Sequence, residues 1–382
     1  MLTAKFFSSF IDIPREHWQS LFKDLSLFCQ YDYLLCLERS LCVGAESGWI
    51  PNHLVLYQQD TPVAAMPLYL KMHSYGEYMF DWNWAAAYQQ QQVRYYPKLL
   101  SAIPFTPVTG QRLAVLDSAN LAAADIVSAL KSALTLQLKK FDASNFQCLF
   151  NEKQQSDDFA KQGLAQRQDI QFHWFNHEYL SFADFVAKLT ARKRKSIHKE
   201  RRALQAYGLE FRWLDGEQIN NSDWQLFYRC YRQTYRKRSG HDGYLNLDFF
   251  LSLSKFLAEN CRLLVVYDGE RAIASALFFV HQNTLYGRYW GALEDIPGLH
   301  FEACYYQGIE YCIANQLARF DAGVQGEHKL NRGFEPVISY GNYLLADSPF
   351  KQAILDVIRR ENVHYQTLLA SNTLDSAYRK DD

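Results

Sequence analysis

RLLVVYDGERAIASALFFV, residues 262–280, is two runs of apolar and β-branched residues hinged on Asp268-Gly269, the pattern of a strand, a tight turn and a returning strand. HLVLYQQDTPVAAMPLYLKM, residues 53–72, has the same form around Asp60-Thr61-Pro62. Residues 54–70 overlay on 264–280 at an offset of 210, which sets Val55 on Val265, Tyr57 on Tyr267 and Leu68 on Phe278. An amphipathic helix is expected after each hairpin. The first runs from Leu121 to Lys140 with Val127, Leu130, Leu134 and Leu138 on one face, before the short strand FQCLF; the second carries Phe301, Tyr305, Ile309, Cys312 and Leu317. Two similar α/β halves follow from this repeat.

Trp18, Leu21, Phe22, Leu25, Phe28 and Cys29 recur at helical spacing, and Leu34 to Leu41 is periodic again, so two helices are expected to open the chain. The polar stretch EKQQSDDFAKQ, residues 152–162, lacks strong periodicity and is the expected linker between a domain of residues 1–165 and one of 166–382. With 382 residues, 48% hydrophobic, and 25 Tyr, 26 Phe and 8 Trp, the chain is too apolar for a disordered polymer. Its 40 Lys and Arg nearly cancel 41 Asp and Glu, so any electrostatic function has to come from local clustering. The longest apolar stretch, Ala272 to Val280, falls short of a membrane helix, and Asp12 and Pro14 interrupt the N-terminal FFSSFIDIP before a secretory signal forms. A cytoplasmic protein is expected. Its eight cysteines include no C-x-x-C pair and read as reduced packing residues, with no metal site.

Charge clusters first at Arg192-Lys193-Arg194-Lys195-Ser196-Ile197-His198-Lys199-Glu200-Arg201-Arg202, within a basic helix expected over 184–207. Leu189, Lys193, Ile197 and Leu204 share a narrow arc of that helix, while Arg192, Arg194, Lys195, Lys199, Arg201 and Arg202 fan across the opposite half. Such a face is either solvated or a phosphate or RNA contact, with Arg194, Lys195, Lys199 and Arg202 as the candidates. A second cluster lies in FDAGVQGEHKLNRGFEP, residues 320–336, where Glu327, His328, Lys329 and Arg332 fall within six positions among glycines. Glu327 or His328 are candidate bases toward an attacking amine, and Lys329 and Arg332 candidate contacts to a carboxylate or phosphate; a salt-bridged turn is the structural alternative.

The segment YGEYMFDWNWAAAY, residues 75–88, places Asp81 among aromatics with Trp82 and Trp84 flanking Asn83, and Lys98 follows Tyr95-Tyr96-Pro97. This pattern suits a substrate groove and a domain core equally. Arg112, beyond Pro104, Pro107 and Gly110, is a candidate anion contact. His173 beside Trp174, and Arg288 in Arg288-Tyr289-Trp290-Gly291, sit in strand-like positions, the latter just before the loop carrying His300 and Glu302. His173 and Arg288 are candidate substrate contacts and Glu302 a further candidate catalytic carboxylate.

GWIPNHL, PLYLKMHSYGEYMFDWNWAAAY, YYPKLLSAIPFTPVTGQRL, RKRKSIHKERR, RYWG, LHFEACYYQGIEYCI and GVQGEHKLNRGFEP together resemble the FemAB-like family of peptidoglycan biosynthesis or recognition proteins, from about Trp49 to Pro336. More distantly, the basic helix and the strand after it resemble the second domain of the Fem aminoacyl-transferases. The resemblance implies an α+β fold with mixed sheets, built as tandem Gcn5-related N-acyltransferase-like domains. It implies transfer of an acyl or aminoacyl group from an activated ester or thioester to an amine, with no permanently bound cofactor and with aminoacyl-tRNA or acyl-CoA as donor. The acceptor it implies is a small molecule or a peptidoglycan precursor, and tRNA is a candidate partner. Where acetyl-CoA-dependent relatives carry Arg-x-x-Gly-x-Gly/Ala after the strand, this chain has LEDIPGLH, and ISYGNYLLAD replaces the family's Ser-x-His with Gly341 and Asn342. A module that keeps the fold and only binds a cell-wall precursor or RNA is the alternative to an enzyme. The oligomeric state is left open.

Overall fold

Strand β1 (Leu2–Phe7) precedes the two expected helices, α1 (Arg15–Phe22) and α2 (Tyr31–Arg39). Its half-buried alternation is faint beside the apolar spacing that follows, so the sequence offers little sign of it. The computed structural model describes residues 2–116, 121–324, 326–371 and 376–379. Next come β2 (Trp49–Pro51), β3 (His53–Gln58), β4 (Thr61–Met66), β5 (Tyr69–Lys71), α3 (Trp82–Gln90), β6 (Lys98–Ser101) and β7 (Ala114–Val115). They are followed by α4 (Ala123–Phe141), β8 (Asn145–Asn151), α5 (Lys153–Lys161) and β9 (Ala165–Phe175). The polar stretch expected as a linker is helix α5, which buries Phe159 and Ser156 and solvates the rest of its surface. One apolar anchor is too little to show as a period.

The second half runs through α6 (Phe182–Lys188), α7 (Ala191–Gln205), β10 (Glu210–Asp215), α8 (Asn221–Ser239), α9 (Leu247–Phe256), β11 (Cys261–Asp268), β12 (Arg271–His281) and β13 (Thr284–Ala292). A helical segment then passes from α10 (Leu299–Phe301) through a π-helical turn, Glu302–Tyr306, into α11 (Gln307–Ala314). The chain continues through β14 (Arg319–Asp321), a 3-10 turn (Glu327–Arg332), β15 (Glu335–Leu345) and α12 (Lys351–Ala370). The expected basic helix is two helices: the chain extends at Leu189 and Thr190 between α6 and α7.

Packing divides the chain into a first unit of Met1–Ile170 with Ile338–Thr367 and a second of Gln171–Val337 with Leu368–Asp382. The sequence reading ran its second domain unbroken to 382. The difference lies in β8, whose free edge is closed by the second half of β15, from Tyr340 opposite Asn151 to Leu345 opposite Asn145. A pairing across that sequence distance leaves no local signal.

The two hairpins are alike rung by rung. β3 and β4 pair Leu54 with Met66, Val55 with Ala65 and Tyr57 with Pro62, with a bulge between Leu56 and Tyr57. β11 and β12 pair Leu264 with Ala276, Val265 with Ser275 and Tyr267 with Ala272, with a bulge between Val266 and Tyr267. Every one of these positions is displaced by the offset of 210 seen in the sequence. The first unit's core packs β3, β4, β6 and β8 against α4 through Leu54, Leu56, Leu99, Ile126, Leu130 and Phe146.

Each unit also has a parallel pair. In the first, β6 and β8 pair from Leu99 and Phe146 to Ser101 and Cys148. In the second, β13 and β14 pair only from Thr284 and Arg319 to Tyr286 and Asp321. β13 continues against β12 as far as Ala292, so it parts from β14 at Tyr286. At the parting β13 bulges: Gly287 faces Phe278 and Tyr289 faces Leu277, which leaves Arg288 as the extra residue. Bulges of this kind re-aim a side chain at the end of a pairing. A hairpin, a parallel pair and a helix between the paired strands, twice over, make a mixed-sheet α+β fold of two like-built units.

Beyond the bulge, β13 lies directly on α8. A Cβ on Gly291 would stand 1.9 Å from the Cys230 carbonyl oxygen, which is backbone and cannot swing away. Gly291→Ala is therefore expected to destabilise the second unit by about 3 kcal/mol or more, read as a lowered thermal midpoint by circular dichroism.

Candidate functional site

Where β13 and β14 part, the Arg288 guanidinium grips the Asp321 carboxylate at 2.6 and 3.2 Å, both side chains being buried. The Gly323 amide donates to the same carboxylate at 3.0 Å. Burial alone raises a carboxyl pKa, but Arg288, His173 and these hydrogen bonds outweigh it and hold Asp321 well below the usual carboxylate range. His173 faces Asp321 across the β9–β14 pairing, its Nε2 3.7 Å from Oδ1. Burial brings its imidazole down to about 4, opposed by Asp321. Lys329, fully buried, donates to the carbonyls of Ala322, at 3.0 Å, and Gly323. Burial lowers its ammonium to about 7, with Asp321 opposing and Arg288 reinforcing the shift.

The 3-10 turn adds the remaining groups. His328 is half-buried, its Nε2 3.0 Å from the Tyr305 hydroxyl. Its ring lies so close to Gly326 (φ +104°) that a Cβ there would stand 2.0 Å from it, so both the space and the dihedral call for glycine. Burial, then Arg332 and Lys329, lower the His328 pKa and keep the imidazole neutral at neutral pH. Arg332 stacks 3.6 Å from the Phe301 ring centroid and donates to both Glu200 oxygens at 3.0 Å. His300, beside Trp290 and Tyr305, is brought down to about 4 by burial and then by Arg238. Glu327 is exposed.

Glu302 sits in the π-helical turn and takes the Arg201 guanidinium at 2.7 and 3.0 Å. Arg201 also reaches Glu310 at 2.7 Å. Rather than standing as a base, the Glu302 carboxylate is committed to fastening α7 onto the turn. Arg194 likewise turns inward, donating to the carbonyls of Ala187 and Leu189 at 3.3 and 3.1 Å and capping the end of α6. Lys193 is buried on Asn331, next to Ile197 and Leu204 on the apolar seam. Lys195, Lys199 and Arg202 remain on the exposed face.

The first unit holds a different cluster. Lys98 reaches Asp81 at 2.5 Å, Glu77 at 2.7 Å and the Ser74 hydroxyl at 2.9 Å, all of them buried. Asp81 also accepts from Ser74 and Tyr95 at 2.5 Å and from Gln147 at 2.6 Å. Burial works to raise the Asp81 pKa; the Lys98 charge and the hydrogen bonds from Lys98, Ser74 and Tyr95 prevail and bring it to about 2. Burial raises Glu77 to about 7 against the pull of Lys98, and lowers Lys71 to about 7 against that of Glu77. These groups clamp the loop before α3, whose Trp82 and Trp84 line a cavity in the same unit. Arg112 is fully buried and donates to the carbonyls of Gly110, at 3.1 Å, and Val108, so it braces its own loop and presents no charge to an outside anion.

Arg288, His173 and Lys329 thus gather around Asp321 in the second unit, with His328 and Arg332 on the adjoining 3-10 turn, while Glu302 stands apart on Arg201; Asp81, Trp82, Trp84 and Lys98 come together in the first. Sequence reasoning missed Asp321 and Tyr305 in one, and Lys71, Glu77, Tyr95 and Gln147 in the other. A lysine inside the apolar run of β5 was the available sign of the first-unit cluster.

The Asp81 carboxylate has a folded pKa of about 2 against an ordinary 3.8. Its stabilising contribution is complete above about pH 4 and is lost as the pH falls from about 4 to about 2. Asp81→Asn is expected to flatten acid unfolding over that window. Lys98→Met strands two buried carboxylates and should cost about 3–5 kcal/mol in denaturant titrations at neutral pH.

The sequence matches the FemAB-like family, described as peptidoglycan biosynthesis/recognition, over residues 9–380. A comparison with curated proteins found no match. Among solved structures, the chain is similar to FemX, at 11% identity over 90% of this chain and 98% of that one, with a TM-score of 0.53. It is similar to L-PGS from Bacillus licheniformis, at 11% identity over 85% and 94%, with a TM-score of 0.50. A Bacteroides thetaiotaomicron protein of unknown function gives 10% identity over 90% and 100%, with a TM-score of 0.51. At such identities the likeness is one of fold. The family match spans nearly the whole sequence and both units: the chain belongs to the FemAB-like family.

Proposed function

We propose that this protein is a transferase that moves an acyl or aminoacyl group from an activated ester or thioester donor to an amine, with its chemistry in the second unit. The parting of β13 from β14 at the Arg288 bulge carries this reading. Beyond Tyr286 β13 no longer pairs with β14, and a main-chain amide turned there toward a developing oxyanion is worth about 2.7–4 kcal/mol. The neutral His328 imidazole, held on Tyr305, is the base. The amine nitrogen attacks the carbonyl carbon and its proton passes to His328. The C–N bond forms as the C–O or C–S bond breaks, and the proton returns to the leaving oxygen or sulfur. Lys329 and Arg332 keep the site electropositive toward an anionic donor.

The exposed Lys195, Lys199 and Arg202 on α7, together with LEDIPGLH in place of the Arg-x-x-Gly-x-Gly/Ala of acetyl-CoA-dependent relatives, favour aminoacyl-tRNA over acyl-CoA as donor. The family description supports a peptidoglycan precursor as acceptor. Such a donor sets the reaction in the cytoplasm.

The test is transfer by the purified chain from aminoacyl-tRNA or acyl-CoA to amine-bearing precursors. His328→Asn should lower kcat by about 10²–10⁴ with the thermal midpoint unchanged. Absence of transfer by the wild type from every donor, with precursor binding intact, would leave a recognition module instead. For tRNA binding, neutralising Lys195, Lys199 and Arg202 together should flatten the slope of log K against log salt by about 2; an unchanged slope would remove α7 from the donor site.

A further inference from the structure

The first unit contains a cavity of about 300 Å³ walled by the rings of Phe80, Trp82, Trp84, Tyr88 and Phe350 and by the apolar side of α12. This is within the size range of small-molecule sites. Among the described residues, Trp82 is the one exposed tryptophan, at 39%, and Phe80 the one exposed phenylalanine, at 45%. The two rings stack at 5.7 Å on the rim of this cavity, and Tyr75, 56% exposed, meets Trp82 edge-on at 5.0 Å. Exposed rings gathered this way mark a binding surface rather than a core.

The loop that presents them is costly to build. Gly76 and Tyr78 both take positive φ, +80° and +65°, and for tyrosine that conformation is strained. Ser74, Glu77 and Asp81 of the same loop are tied to buried Lys98. A buried ionic clamp rarely gains stability over apolar packing. Here it fixes two large rings in water, which is the geometry of a preformed site.

Charge selects the ligand class. Two acids, Asp81 and Glu361, and one base, Arg167, line the cavity; Lys98, which neutralises Asp81, is buried behind it. Glu361 pairs with Arg167 at 2.7 and 3.2 Å, yet its side chain stays 31% exposed, so its carboxylate has room for a second donor. Ring faces attract cations, and Arg167 already uses this one, its guanidinium 5.2 Å over Trp84. Arg167 is taken up by Glu361 and by the Trp84 face, so an anionic ligand would meet the rings and Glu361 against it, whereas an ammonium ion would meet the exposed part of that carboxylate. We propose that this cavity binds a small organic ammonium ion, its apolar body against Trp82 and Phe80 and its nitrogen at Glu361. The inference concerns the first unit and does not depend on the transfer chemistry proposed for the second.

Calorimetric titration of the full chain with 2-phenylethylammonium, 2-phenylethanol and 3-phenylpropionate tests it. The ammonium should bind about 10-fold or more tighter than the isosteric alcohol, and the anion weakest. Trp82→Ala, at an exposed position, should weaken the ammonium about 5- to 10-fold with the thermal midpoint unchanged. Glu361→Gln should abolish the preference for ammonium over alcohol. Equal affinity for ammonium and alcohol, preference for the anion, indifference to Trp82→Ala, or no heat at millimolar ammonium would each overturn the proposal.

Discussion

The buried pair of Arg288 and Asp321 is the constraint on which the second unit's architecture turns. A strand that leaves its partner midway exposes main-chain groups and any polar side chains at the fork, and a protein interior penalises such groups when they are unpaired. The bulge in β13 aims Arg288 at the last residue of β14, and the carboxylate it meets also takes the Gly323 amide and faces His173. Lys329 then secures the Ala322 and Gly323 carbonyls from the other side. The fork can stay open because each charge at its apex is answered. The first unit meets a comparable demand with lysine, as Lys98 spans from β6 to the two carboxylates of the loop before α3.

Helix α7 illustrates how one amphipathic element serves two environments. Its inner side holds Lys193 against Asn331, Glu200 against Arg332 and Tyr306, and Arg201 against Glu302 and Glu310. Its outer side leaves Lys195, Lys199 and Arg202 in solvent. The inner ion pairs are partly shielded and geometrically fixed, whereas the outer charges act through a salt-screened field. Geometry near the π-helical turn and attraction of a polyanion are therefore carried by different residues of the same fifteen-residue helix.

The hairpins were legible because alternation and turn chemistry are local, and the offset of 210 reproduced even the position of the bulge at Tyr57 and Tyr267. The cluster from Glu327 to Arg332 was legible because ionisable residues among glycines are conspicuous. What escaped was set by long-range pairing or by main-chain acceptors. Asp321 acquires its meaning only opposite Arg288, and the end of β15 only beside β8. Arg112 and Arg194 read as anion contacts, but both donate to carbonyl oxygens at turns and helix ends, and a sequence does not display its carbonyls. The aromatic segment from Tyr75 to Tyr88 read equally as groove or core and is divided between them: Trp82 is exposed and Trp84 buried.

The return of residues 338–367 to the first unit also orders events in time. On the ribosome, domains generally fold as they emerge, N-terminal first. Here the strand that closes β8 and the helix after it are translated only once the second unit's segment, Gln171–Val337, has been made. The first unit therefore cannot be completed until most of the second has been made. Until then β8 presents an open edge, the kind of template that invites wrong pairing, and a nascent chain carries that edge while the whole of Gln171–Val337 is being made.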